Sequence, residues 1–186
     1  MRASHISTFL EIAELAYADH DRLKAELMAE RDQLDPELRG MHFPQQDELD
    51  RIYMQVIVFL TMYLEAYIWD QGATYLGEKT MERLDKLGPQ DKWDIIPRLL
   101  LDKPFSIKAH HQGYLKSLLQ ERNRLIHHKS VDVWPYIGKQ IPLKEMPKDL
   151  IDFWDRIDLR RYFEVARHLT ASLNAAIEER YWPDWR

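Results

Sequence analysis

The chain has 186 residues, 45% of them hydrophobic and 31% charged, with a formal net charge of -5 and no cysteine. That composition excludes a disordered chain and supplies enough apolar material for a continuous core. The negative balance excludes a general attraction to polyanions, and the missing cysteines exclude disulfides, thiolate zinc sites and cysteine nucleophiles.

The first helix is expected from about Ser7 to Leu34, with Leu10, Ala13, Leu15, Ala16, Leu23, Leu27 and Met28 as its buried stripe. Glu11 and Glu14 interrupt its short apolar start, so it does not read as a signal peptide. Pro36, Gly40 and Pro44 mark a break. A second long helix is expected from near Gln46 to about Tyr75, deepest in the core because Tyr53 to Ile68 is apolar on several faces. Its longest apolar run, Val56 to Leu64, is too short to span a bilayer, which predicts a soluble protein with no membrane partner; the lack of cysteine is compatible with a cytoplasmic location.

Gly77 and Gly88-Pro89 leave short helical pieces at Lys79 to Leu87 and Gln90 to Leu101, with Pro97 placed to kink or split the second. Ser106 reads as the N-cap of a helix from Ile107 to about His128. The stretch 129–148 holds Pro135, Gly138, Pro142 and Pro147, which forbid a continuous helix and predict an irregular loop. A last helix is expected from about Leu159 to Arg180, with Phe163, Ala166, Leu169, Leu173 and Ile177 on one stripe. The simplest burial of these stripes is an all-α fold: one domain over 1–186, an up-and-down bundle of about four main helices with short helices between them.

The chemistry-bearing segment is Glu121-Arg122-Asn123-Arg124-Leu125-Ile126-His127-His128. On a helix Asn123 and His127 lie about 40° apart, one turn from each other. Arg122 lies about 140° from His127, but its long stem can reach round a helix end. From Arg98 to Lys129 seven Lys or Arg face only two acids, Asp102 and Glu121, and four of the eight histidines fall in the same stretch. A phosphate-bearing ligand suits this segment better than any other.

The run Arg122-Asn123-x-x-x-His127 resembles the mark of the HEPN superfamily: Arg, a polar residue, three further residues, then His near the end of a bundle helix. Leu64-Glu65-Ala66-Tyr67, Lys92-Trp93 and Tyr114 to Leu119 provide a similar context, so the resemblance spans roughly Ile52 to Lys129. It implies a HEPN-like domain and a metal-independent endoribonuclease, with RNA as substrate and no cofactor. It also implies a toxin or phage-defence role, a homodimer with the motif at its interface, and an antitoxin protein as a possible partner. Cleavage would proceed by attack of the 2'-hydroxyl on the adjacent phosphate. His127 would move the proton, Arg122 would hold the phosphate, and Asn123 would orient either of them. Arg124, His128, Lys129 and Lys116 are the expected substrate-binding residues, with Glu65 supporting Arg122 from behind. HEPN toxins silenced by nucleotidylation carry Tyr two residues after the His; Lys129 stands there, so that regulation is not carried over.

Ordinary structural roles stay open beside these. Arg122 shares a stripe with Leu115, Leu118 and Leu119 and can pair with Glu65 or Asp70, and His127 can cap a helix C-terminus. The fold without catalysis would be a module binding RNA or a partner protein. His110-His111 and His127-His128 sit about 25 Å apart along one helix and cannot share a metal ion. Trp134 and Tyr136 are the better base-stacking candidates among the aromatics. Gly72, Gly77 and Gly88 are too widely spaced for a phosphate-cradling loop.

Overall fold

Apolar residues at helical spacing and proline or glycine at the breaks lead to an all-α structure. The computed structural model describes residues 5–33, 44–126 and 158–183. Among the described residues there are six helices and no strand: α1 (Ile6–Asp32), α2 (Pro44–Leu76), α3 (Glu78–Leu84), α4 (Pro89–Leu101), α5 (Ala109–Ile126) and α6 (Leu159–Tyr181). The 129–148 segment, with Trp134 and Tyr136, lies outside the described residues.

Local chemistry sets the boundaries. Gly77 adopts φ 85°, a left-handed turn that separates α2 from α3. Pro89 opens α4, where a missing N–H costs nothing. Asp102 closes that helix in the left-handed region, its N–H donating to the Arg98 carbonyl. The Asp158 carboxylate accepts from the Arg161 N–H and caps α6.

Helix α2 is the axis of the packing and touches each of the other five helices. Tyr53, Val56, Ile57, Leu60, Leu64 and Ile68 are buried along it. Over 47–76 it is long and apolar enough to cross a membrane by length and composition, although the run Val56 to Leu64 alone is not. In this fold 56% of an 18-residue apolar window within it is buried against the rest of the chain, as in the core helix of a globular domain. Gly72 leaves room on α2 for Met81 of α3, since a Cβ there would lie 2.2 Å from the Met81 sulfur.

Three expectations need correction. On α1, Ala13, Ala16 and Leu27 are buried and Leu10 and Leu23 pack at the edge of the core, but Leu15 is 71% exposed and Met28 is also exposed. Their place on the inner face is taken by His20, which continues the helical spacing from Ala13 and Ala16. Ser106 does not cap α5, which begins at Ala109. Buried Ile107 fixes the preceding segment in the core, and the first turn starts only after it, with the Gln112 N–H donating to the Lys108 carbonyl. Pro97 does not split α4, because Trp93, Ile96, Leu100 and Leu101 on either side are all buried and hold the helix together. The stripe expected on the last helix is present: Phe163, Ala166, Leu169, Leu173 and Ile177 are all buried.

Trp93 lies parallel to Tyr67, ring centroids 6.1 Å apart, and its buried indole N–H has no partner among the described residues. Its contribution is therefore volume rather than a hydrogen bond. Trp93→Ala is expected to cost about 3–5 kcal/mol of stability. Trp93→Phe should cost clearly less, since no acceptor is left unpaired. Urea unfolding midpoints of the two variants check this, and equal losses would contradict it.

Candidate functional site

The last two turns of α5 lie across α2, where leucines and polar residues alternate by helical period. Leu115, Leu118 and Leu119 are buried and draw α5 onto the core. Residues one step further round emerge at the edge of that contact, and these are Glu121 and Arg122.

Arg122 is the centre of the arrangement. One guanidinium nitrogen lies 3.6 Å from Oε1 of Glu65 on α2, and another donates to Oδ1 of Asn123 at 3.1 Å. The side chains of Arg122 and Glu65 are 28% and 31% exposed, so the pair sits at the rim rather than in the core. Of the two carboxylates considered for it, Glu65 is the one in place. A guanidinium held this way keeps a fixed plane and can still meet solvent, the geometry a planar fork needs to receive an anion.

Glu121 faces the other way. Its Oε2 accepts from the Tyr53 hydroxyl at 3.1 Å and from Nε of Arg124 at 2.9 Å, and Nη2 of Arg124 lies at the same distance. Tyr53 and Glu65 are about 18 Å apart along α2. The adjacent residues Glu121 and Arg122 thus reach in opposite directions along that helix and fix where α5 crosses it. Burial of Tyr53, with the Glu121 carboxylate beside it, pushes its phenol far above the ordinary tyrosine range, so the hydroxyl remains a donor. One turn back, Ser117 and Tyr162 of α6 share a 2.9 Å hydrogen bond that ties α5 to its other neighbour.

The structure thus brings together Arg122, Asn123 and Glu65. Arg124, expected to bind substrate, is exposed and pairs with Glu121. Lys116, Gln120 and Asn123 are exposed along one stripe of α5. His127, His128 and Lys129 lie outside the described residues. The local excess of positive charge is reduced by acids from elsewhere in the chain, Glu65 on Arg122 and Glu179 at 3.8 Å from Lys103. Among the described residues no group of three or more His, Asp or Glu side chains converges on a metal position.

Sequence reading did not identify Tyr53 or Glu121 as site residues. Tyr53 is one apolar-spaced residue among many in α2, and the crossing of α2 and α5 is what brings its hydroxyl to Glu121. The one available signal was Glu121, an acid within a basic stretch and immediately before the arginine. Tyr53→Phe is expected to destabilise the fold by about 1.5–3 kcal/mol, because it removes a hydrogen bond to a buried-side carboxylate. Arg124→Ala removes the solvent-facing partner of Glu121 and should cost less than about 1 kcal/mol. Chemical denaturation of both variants measures the difference, and the reverse order would show that Tyr53 does not anchor Glu121.

Comparisons of the chain with protein-family models, with curated proteins and with solved structures give no match.

Proposed function

We propose that this chain is a HEPN-like helical domain that cleaves RNA without a metal, by attack of the 2'-hydroxyl on the neighbouring phosphate. The observation that supports this most is the setting of Arg122. A partly exposed guanidinium is oriented by Asn123 and Glu65 in the last turns of α5, five residues before His127 in the sequence. Arg122 then holds a phosphate oxygen pair and stabilises the charge that develops on it. His127 takes or delivers the proton, the role an imidazole suits. Lys116, Arg124, His128 and Lys129 lead the RNA backbone toward the site.

One copy of the motif has one such histidine, whereas the reaction uses a base and an acid. We place the site in a homodimer for that reason. A face of α2 next to Glu65 suits such a contact: Met54, Val58 and Met62 follow one another at four-residue spacing, and Met54 and Met62 are 42% and 40% exposed. A toxin or defence role in the cytoplasm, with an antitoxin protein as partner, belongs to the same reading.

A second reading is favoured by the Glu65 contact itself. A guanidinium already paired with a carboxylate can serve structure alone, and the domain would then bind RNA or a partner protein without cutting it.

The test is RNA cleavage in the presence of a chelator by wild type, Arg122→Ala and His127→Ala. Each variant is expected to lose about a hundredfold or more in rate while keeping its fold by circular dichroism. An inert wild type that still retains RNA on a filter would establish the binding module. Unchanged cleavage by both variants would remove these residues from the mechanism.

A further inference from the structure

At the opposite end of α5 from Arg122, three imidazoles lie against one another. His110 and His111, in the first turn of α5, have ring centroids 3.9 Å apart, and His111 lies 4.0 Å from His168 of α6. Nδ1 of His111 is buried and has no hydrogen-bond partner among the described residues. His168 is engaged on its far side, with Nε2 3.5 Å from the Ser172 hydroxyl. Neutral imidazoles pack in this way as flat aromatic rings. Protonated ones place like charges about 4 Å apart, the same distance as the ring contacts.

The surroundings oppose protonation further. The titratable and charged groups acting on His111 among the described residues are His110 and Lys108 from its own segment, and His168 and Glu164 from α6. All but Glu164 disfavour a second positive charge, and Glu164 already accepts from Arg160 at 3.0 Å. The first turn of α5 adds the positive end of a helix dipole, which is unfavourable for a cation.

We propose that His110, His111 and His168 form an acid-labile latch between the first turn of α5 and α6, closed at neutral pH and opened by protonation of His111 at its centre. Burial first, and then the neighbouring imidazoles, hold His111 below the usual histidine range. The opened state therefore binds more protons than the closed one once pH falls below about 6.5. The latch contributes its full stability above that pH and loses it as pH falls further. His20 on α1 is also held low by burial and shifts stability in the same direction, so the readout has to be local to α5.

Hydrogen–deuterium exchange of the full chain at pH 7.5 and 5.5, corrected for intrinsic exchange, supplies that readout. In wild type the opening of residues 109–115 is expected to rise by up to about tenfold per pH unit for each proton taken up. His111→Phe, which keeps a flat ring and removes the titration, should abolish that response. His20→Gln should leave it in place. Equal protection of 109–115 at both pH values, or the same acid response in His111→Phe, would overturn the latch. Should His111→Phe fail to fold, His111→Gln, which also removes the titration, carries the comparison with the same two outcomes.

Discussion

Helix α2 is apolar round most of its circumference, and its burial constrains the placement of every other helix. A helix of that kind has to be covered on several sides, and the five other described helices all touch it. The tyrosines along α2 then add direction to what would otherwise be non-directional burial. Tyr67 donates to the Thr170 carbonyl and to Asn174, Tyr63 to the Thr170 hydroxyl, and Tyr53 to Glu121. Leaving any of these hydroxyls buried and unpaired would cost about 1–3 kcal/mol. Each therefore selects one rotation of α5 or α6 against α2 out of the many that hydrophobic contact alone allows.

The candidate site follows from that selection. Because Tyr53 holds Glu121, its neighbour Arg122 is turned toward Glu65, and the guanidinium meets Asn123 on the way. The carboxylate has two opposing effects. It fixes the plane of the fork, which favours bidentate recognition, and it competes with any incoming phosphate for the same positive charge. A rim position resolves the conflict in part, since solvent screens the pair and leaves the guanidinium able to exchange partners. In the core the same pair would be too strongly coupled to release its arginine.

Helix α5 also joins two regions of different chemistry. Its C-terminal turns are fixed to α2 by the Tyr53–Glu121 hydrogen bond and the Arg122–Glu65 ion pair. Its first turn rests on α6 through imidazoles, a kind of side chain that changes charge near neutral pH. Ser117 and Tyr162, near the middle, connect α5 to α6 independently of either end.

The helices were legible in the sequence because their signals are local. Apolar spacing located α2 and α6 with their buried faces, and Gly77, Pro89 and Asp158 end or begin elements through their own backbone and side-chain chemistry. The spacing of Arg122 and Asn123 was legible for the same reason, as was Glu65 as a candidate partner. What the sequence left open depended on residues distant in the chain. Whether Arg122 pairs with Glu65 or Asp70, that Tyr53 meets Glu121, and that His111 meets His168 are decided by where α5 crosses α2 and α6. The misplaced Leu15 and the buried His20 have the same cause, since burial is set by which face a neighbour covers. A sequence fixes the period of a helix, but only tertiary packing fixes its rotation and the partners that rotation brings within hydrogen-bonding distance.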